Sequence, residues 1–500
     1  MRKGVWVLAA VLVSFLLISP AWGESSDSVD LQALKEQLNE LNKLIQSQQQ
    51  QIQNQEKKLQ DQEQKLQDQE WKLRELEQLT EEPVPYEDMD AIVEKVKAEL
   101  PPPQDGLTIG GGKIRVTPYG FIRLDAAYDD SAQFMFSGNV VGWAWPEDGK
   151  SMPFPFVSAD GVQNNADDDN NFSMTATATR LGLNFDGPEF AGGTIKGKIE
   201  VDFDELYQNG GDVVAHRIRM RHAYAELLYP TWSLLAGQSW DIIAPRIPNM
   251  LDCVVMWGSG NVGYRRPQLR LTKWWDVDGT KITGQASLNH TDRTLSDDFD
   301  KDLMLNGVES GWPMVEGRMG VDKQFDSGRK LSLGLSGLIA EEETDFSGPG
   351  ENDDLDVWLV ALDGSLGVVP GLVTVQGEIW TGENIDNVYG GIVQGFVSKR
   401  NALGVIVDQE EIEAYGGFIH AMITPRQNLQ FNFGYGLDDV DSDDLPANSR
   451  SQNWTIFGNT IWTVVPNFDV GLELAWHETK WVGNADGDDF RIQSAFIYKF

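Results

Sequence analysis

The strongest constraint on the fold is an alternation of apolar and polar residues that persists through the last four-fifths of the chain. Ile195, Ile199 and Val201 fall on one face of an extended segment, whereas Lys198 and Glu200 fall on the other. Because successive side chains of a strand point to opposite faces, this period predicts β-strands with one apolar and one polar face.

Sixteen such segments are predicted, and the connections between them alternate in length. Turns such as 229–231 and 326–329 are short, whereas the intervening connections are long and rich in Asp, Asn, Gly and Pro. Membrane barrels have short turns on one side and long loops on the other, and sandwiches have no reason to do so. We therefore predict an all-β fold, a 16-stranded antiparallel transmembrane β-barrel over 113–500. Its strands are predicted at 113–128, 171–186, 194–205, 215–229, 232–241, 263–275, 281–294, 312–325, 330–342, 355–367, 371–383, 410–424, 428–438, 452–464, 467–481 and 489–500.

The residue composition and the C-terminus favour the outer membrane of a bacterium. Beyond the N-terminal segment no run of about 18 apolar residues occurs, so the chain would have to cross a membrane as strands. Seventeen tryptophans can supply aromatic girdles at the two interfaces. Phe496, Tyr498 and Phe500 resemble the C-terminal signal read by the barrel assembly machinery. We expect lipids and lipopolysaccharide to surround the barrel.

The N-terminus has the pattern of a cleaved secretory signal peptide at 1–23. Arg2 and Lys3 precede an apolar stretch over 5–18, and small residues then favour cleavage after Gly23. This signal-peptide pattern predicts export from the cytoplasm.

The segment 24–82 is predicted to be a periplasmic α-helical coiled coil, followed by a linker with a short helix at 83–112. An apolar residue recurs every seven positions at Leu31, Leu38, Ile45, Ile52, Leu59, Leu66 and Leu73. This repeat keeps one stripe facing a partner helix, so we expect chains to associate, with a homotrimer preferred. A disordered Gln-rich tail is the alternative. A stalk of this kind could also tether the outer membrane to peptidoglycan.

Charge and cysteine usage exclude several function classes. The formal net charge of -37 repels phosphates, so we expect no nucleic-acid partner. Cys253 is the single cysteine, and it is interpreted as a small buried apolar residue. The five histidines are scattered and accompany no nucleophile motif such as Gly-x-Ser-x-Gly, so we expect neither an enzyme nor a cofactor or metal site.

Arginines at alternate positions form the main candidate site. Arg217, Arg219 and Arg221 share one face of the fourth predicted strand. A charge on the lipid face costs up to a few kcal/mol, so these side chains should line the lumen and handle anions. General lumen polarity, balanced by acidic residues, is the alternative. The candidate pore-lining residues are Arg180, Arg217, Arg219, Arg221, Arg266, Arg270 and Arg318.

The connection 241–262 is the candidate constriction loop. Its apolar residues are too numerous for a loop surrounded by water, so we expect it to fold into the channel. Asp241, Arg246 and Asp252 would then contribute charges to the constriction. Packing at a subunit interface is the alternative.

Four segments of the predicted barrel stand out, namely GFIRLDAAY at 120–128, TRLG at 179–182, RHAYAEL at 221–227 and LAGQSWD at 235–241. Together with the coiled coil, they resemble the DcaP-like trimeric porins. The resemblance covers the stalk and most of the first half of the barrel. It implies sixteen-stranded trimers with a periplasmic coiled coil, and passage of small anions such as dicarboxylates. The arginine-containing constriction that it implies is carried to Arg180, Arg217, Arg219, Arg221, Arg266 and Arg270.

Passive diffusion of small hydrophilic solutes with a preference for anions is therefore the leading functional hypothesis. A structural tether to peptidoglycan is the second hypothesis, and the two roles are compatible. An outer-membrane hydrolase is the third, and it lacks a recognisable nucleophile.

Overall fold

The structure is a computed structural model of the chain. It describes residues 107–109, 113–131, 133–137, 140–147, 170–203, 217–292, 305–344, 353–403, 405–441 and 445–500. The predicted signal peptide, coiled coil and short linker helix lie outside the described residues. The tether hypothesis depends on the coiled coil, so it also concerns residues outside this set.

Strands dominate the described part of the chain, and each is numbered here in chain order. Helical structure in this part consists of α1 (Asn306–Glu309) and the 3₁₀ helix η1 (Asp386–Val388). Within the same ranges no helix is long and apolar enough to cross a membrane. The strands are β1 (Leu107–Ile109), β2 (Ile114–Asp129), β3 (Gln133–Ser137), β4 (Val140–Ala144), β5 (Asn171–Thr175), β6 (Arg180–Phe190), β7 (Gly193–Asp202), β8 (Arg219–Leu228), β9 (Trp232–Trp240), β10 (Arg265–Val277), β11 (Thr280–Asn289), β12 (Met314–Gln324), β13 (Lys330–Thr344), β14 (Asp353–Val369), β15 (Val373–Glu383), β16 (Phe396–Arg400), β17 (Ile406–Glu411), β18 (Glu413–Arg426), β19 (Leu429–Val440), β20 (Arg450–Val465), β21 (Phe468–Trp481) and β22 (Gly487–Lys499).

Neighbouring strands pair antiparallel all the way around, and the last strand pairs with the first to close a barrel. In the closing pair of β2 and β22, Phe121 lies opposite Lys499 and Asp129 lies opposite Arg491. On its other edge β2 pairs with both β5 and β6, which together occupy one strand position. Counted this way, the described region contains sixteen barrel strands, which confirms the predicted all-β architecture.

The boundaries differ from the sequence prediction in a few places. The second predicted strand is interrupted at 176–179, between β5 and β6. Two long connections contain strands of their own, because β3 pairs with β4 and β16 pairs with β17 as local hairpins. A further short strand, β1, lies in the predicted linker and pairs with the start of β2. These elements are short and pair locally, so they leave the closed barrel unchanged.

The barrel exposes apolar side chains on the outside and buries charged ones within. Ile379, Ile419 and Leu335 are 63%, 58% and 57% exposed on barrel strands, whereas Glu316 and Arg491 are each 1% exposed. A soluble protein has the opposite distribution. This arrangement is the one that a barrel surrounded by hydrocarbon requires.

An apolar core forms where two loops pack together with residues of the barrel strands. Ile243 and Val262, from the connection between β9 and β10, pack with Ile385 and Ile392 from the loop that follows β15. Trp380 of β15 supplies part of the wall beneath them. Burial of these side chains favours the inward position of both loops because each would otherwise face water.

The lipid-facing assignment of the outer surface can be tested at Ile379, near the middle of β15. Arginine at this position should reduce the free energy of unfolding by about 2–4 kcal/mol, because a guanidinium would enter hydrocarbon. Ser327→Arg, in the exposed turn between β12 and β13, is the matched control and should have little effect. The measurement is reversible urea unfolding in lipid vesicles. Equal costs at the two positions would contradict the assignment.

Candidate functional site

The segment 241–264, here called the inner loop, crosses the lumen and is held by carboxylates of the barrel wall. The backbone N–H of Ile242 donates to Glu316 at 2.9 Å, and that of Val262 donates to Glu378 at 3.2 Å. Glu473 accepts from two further backbone N–H groups of the loop, at 2.7 and 2.9 Å. These acids belong to β12, β15 and β21, so the loop is attached across a wide arc of the wall.

Side chains reinforce this attachment in both directions. Arg246 donates to Asp363 of β14 at 3.0 Å. From the wall, Arg123 donates to the carbonyl oxygen of Leu251, and Asn459 donates to that of Asn249 at 2.9 Å. The loop therefore contacts strands on both sides of the seam at which β2 and β22 meet.

Gly260 marks the closest approach of the inner loop to the wall. Its φ is +118°, and a Cβ at this position would lie 2.2 Å from the carbonyl oxygen of Gly417. The indole Nε1 of Trp380 donates to the carbonyl oxygen of Gly260 at 2.8 Å. Because any larger residue would clash with backbone, glycine is required for the loop to seat here.

The base of the inner loop is fixed by a buried ion pair. Arg266 donates to Asp241 at 2.9 Å, and both side chains are at most 3% exposed. The same guanidinium donates to the carbonyl oxygens of Thr291, at 2.6 Å, and Asn387, at 2.7 Å. Burial raises the pKa of the Asp241 carboxyl, and the charge of Arg266 counteracts that rise. Arg266 therefore joins three loops, and its side-chain donors face protein acceptors.

Between the inner loop and the wall of β2, β6 and β8 lies a cavity of about 260 Å³, here called the arginine cavity. Five arginines line it, namely Arg123, Arg180, Arg219, Arg221 and Arg265. Its lining also includes Asp202, Asp252, Cys253 and aromatic residues.

Cross-strand register explains why Arg219 and Arg221 both meet acids of β7. Arg219 lies directly opposite Asp202 and makes two hydrogen bonds to its carboxylate, each of 2.8 Å. Arg221 is two positions along β8 from Arg219, so alternation puts both on the same face, and Arg221 is buried there next to a register shift in the pairing of β7 with β8. Arg221 donates to Asp202 and to Glu200, at 2.7 Å each.

Positive charge exceeds negative charge around these two acids. Arg180 and Lys198 also lie near Glu200, at 3.6 and 3.7 Å. Four cationic side chains thus surround the two carboxylates of Glu200 and Asp202. Around Glu200 and Asp202 the wall therefore has more positive than negative side chains, although the total charge of the chain is acidic.

The structure separates the predicted arginines into groups. Arg180, Arg219 and Arg221 share the arginine cavity. Arg270 and Arg318 line a second cavity of about 240 Å³, which the inner loop also borders. Arg318 is bound to Asp363 at 2.8 Å, and Arg270 donates to Gln268 at 2.8 Å.

Arg217 and Asp252 have contrasting surroundings. Arg217 precedes β8 and is exposed, outside the residues that line either cavity. Asp252, by contrast, is fully buried in the inner loop, 3.7 Å from Arg491. All three predicted loop residues, Asp241, Arg246 and Asp252, lie within the inner loop and contact arginines or acids.

Sequence reasoning missed the role of Arg265. Its position in β10 shares parity with Leu269 and Leu271, which are exposed on the outside, so alternation assigns it to lipid. In the structure its guanidinium stacks over Trp240 at 4.4 Å and Tyr264 at 4.8 Å. The sequence signal that could have identified this residue is the pair Arg265 and Arg266, which follows a loop predicted to fold inward.

Cys253 is half-buried and lines the arginine cavity. Its interpretation as a simple core residue is therefore incomplete. Among the residues that the structure describes, no group of three or more His, Cys, Asp or Glu side chains is arranged to hold a metal ion.

Comparison with solved structures reveals the same fold in known channels. The outer membrane channel DcaP of Acinetobacter baumannii aligns over 79% of this chain and 99% of its own, at 21% identity and a TM-score of 0.60. The chain has a porin-like outer-membrane channel fold. At the level of the fold, this likeness supports the resemblance to DcaP-like porins that the sequence motifs suggested.

More distant channels align with the same region. An anion-selective porin from Comamonas acidovorans aligns over 78% of this chain and 100% of its own, at 13% identity and a TM-score of 0.44. Salmonella typhi OmpF in complex with daunomycin aligns over 79% and 100%, at 12% identity and a TM-score of 0.45. No family model matches the chain, and no curated protein sequence matches it.

The anchoring of the inner loop can be tested at Glu473. Glu473→Ala removes the acceptor of two backbone N–H groups, so we expect the loop to loosen. The expected result is a larger and noisier single-channel conductance in planar bilayers. Glu478→Ala, on the same strand but with opposite side-chain parity, is the matched control. Unchanged conductance in folded Glu473→Ala barrels would contradict the anchoring role.

Proposed function

We propose that the chain is an outer-membrane porin through which small hydrophilic solutes diffuse passively, with a preference for anions. The arginine cavity carries this proposal, because it lies within the lumen between the wall and the inner loop. A solute that crosses the barrel beside the inner loop would meet Arg180 and Arg219, which are 30% and 20% exposed there.

The exposed fractions distinguish arginines suited to bind solute from arginines suited to hold the protein together. Arg180 and Arg219 retain accessible surface, and a carboxylate or phosphate can accept from a planar guanidinium at two atoms. Arg266 is 3% exposed and bonded to three loops, so its proposed role is to position the inner loop. Arg318 is bound to Asp363, a residue that also accepts from Arg246, so it supports the same loop.

Small dianions such as dicarboxylates are the proposed solutes. Positive charge is in excess at Glu200 and Asp202, and Arg270 lines the second cavity beside the inner loop. Arginines in two separate cavities suit a solute that carries negative charge at both ends.

The remaining features of the envelope protein are proposed from the sequence. A signal peptide at 1–23 would direct export, and Phe496, Tyr498 and Phe500 would present the end of β22 to the assembly machinery. The coiled coil at 24–82 would lie in the periplasm and join three chains into a homotrimer. Lipids and lipopolysaccharide would cover the apolar outer surface.

Ion selectivity in planar bilayers tests the proposed function. We expect the reversal potential in a salt gradient to show that chloride permeates better than potassium. In the double variant Arg180→Gln/Arg219→Gln the ratio of chloride to potassium permeability should fall by about threefold or more, because fixed charge sets the local ion concentration.

Arg329→Gln, in the exposed turn between β12 and β13, is the control, because it changes net charge away from both cavities. It should leave the permeability ratio close to that of the unmodified chain. A channel that favours potassium, or a double variant with unaltered selectivity, would refute the anion preference.

A further inference from the structure

Cys253 lies on the inner loop, in the wall of the arginine cavity, and is half-buried. A small solute that enters the cavity can therefore reach its thiol. Arg123 and Arg180 are both close enough to interact electrostatically with the sulfur. Neighbouring guanidinium groups stabilise a thiolate, which is the reactive form of cysteine.

A second observation in the same cavity points to an anionic ligand. Arg265 lines the cavity and is only 4% exposed. Its Nη2 is buried and has no hydrogen-bond partner among the described residues. A buried N–H donor without an acceptor is unfavourable, and an anionic oxygen is the acceptor that a guanidinium binds best.

We propose that Cys253 is a covalent modification site for small anionic disulfides, and that Arg265 holds their anionic group beside the thiol. The proposal rests on the proposed function in one respect, namely that the reagent reaches the cavity through the lumen. Since the chain contains a single cysteine, no intramolecular disulfide competes for this thiol.

The reaction is thiol–disulfide exchange. The thiol of Cys253 first loses its proton to water, and the thiolate attacks one sulfur of R–S–S–R. A new S–S bond joins Sγ to one R–S group, while the original S–S bond breaks and its electron pair leaves with the other as R–S⁻. Cys253 is oxidised and the released half of the reagent is reduced.

The adduct would alter the cavity in two ways. It places an anionic group inside a space of about 260 Å³, so the volume available to solutes decreases. It also offsets part of the positive charge of the arginines. Modification should therefore reduce the conductance, and a thiol reductant that removes the adduct should restore it.

The test uses the full folded chain and two methanethiosulfonate reagents of similar size, the anionic 2-sulfonatoethyl compound and its cationic trimethylammonium analogue. Each transfers its R–S group to the thiolate and releases methanesulfinate. Mass spectrometry of the intact chain measures the rate and the number of adducts. We expect one adduct per chain, formed about tenfold faster with the anionic reagent at low ionic strength. Added salt should reduce this advantage.

Variants separate the thiol from the guanidinium. Cys253→Ser should form no adduct. Arg265→Gln should reduce the rate advantage of the anionic reagent. Because loss of a buried guanidinium can prevent folding, Arg180→Gln provides a second test of the same charge effect. Ser327→Cys in the Cys253→Ser background places an exposed reference thiol in a turn, where the two reagents should react at similar rates.

The possible results are distinct. Absence of an adduct on the folded chain, or equal rates for the two reagents at Cys253, overturns the proposal. A conductance that falls after anionic labelling and recovers with dithiothreitol supports it. An adduct with anion preference on a barrel that conducts no ions supports the modification site and refutes the proposed channel function.

Discussion

Backbone hydrogen bonding in hydrocarbon is the constraint on which the rest of this structure depends. In a membrane every strand needs a neighbour on each edge, and the pairing of β22 with β2 provides the last of these neighbours. Closure then divides each strand into an outer face that contacts lipid and an inner face that contacts water or protein. Charged residues can occupy only the inner face without a large cost, so the chemistry of the chain is concentrated in the lumen.

Charged side chains in the lumen have two roles, and the residues with each role lie on different parts of the wall. Acids such as Glu316, Glu378 and Glu473 accept from backbone N–H groups and hold the inner loop. The arginines of β6 and β8 face the space that the loop leaves open. A chain with a formal net charge of -37 can therefore enclose a cavity in which positive charge is in excess. Net charge alone would suggest a preference for cations, because it averages over regions that solutes in the lumen would not contact.

The sixteen strands could be predicted because alternation is a local property of the sequence. The inward position of the loop could also be predicted, since Ile242, Ile243 and Met256 are too apolar for an exposed connection. The partners of the arginines could not be predicted from the sequence, because the contact between Arg219 and Asp202 depends on the register of β7 and β8. Arg265 was missed for a related reason: its surroundings come from the inner loop and not from strand parity.

The hairpins β3–β4 and β16–β17 show another limit of prediction from local patterns. Their strands contain only five or six residues and pair within one connection, so they carry too little alternation to distinguish them from irregular loops. Gly260 shows a third limit. A glycine in a loop is common, and only the 2.2 Å approach of a Cβ at this position to Gly417 reveals that it is required.

The location of a bound anion inside the barrel tests whether the inner loop and the wall enclose an anion-binding cavity. Crystals of the full chain soaked in bromide would reveal the ion by its anomalous scattering. We expect a bromide site in the arginine cavity, within hydrogen-bond distance of a guanidinium of Arg180, Arg219 or Arg265, and beside an inner loop that crosses the lumen. Bromide bound only at the outer surface, or an inner loop located outside the barrel, would contradict this arrangement.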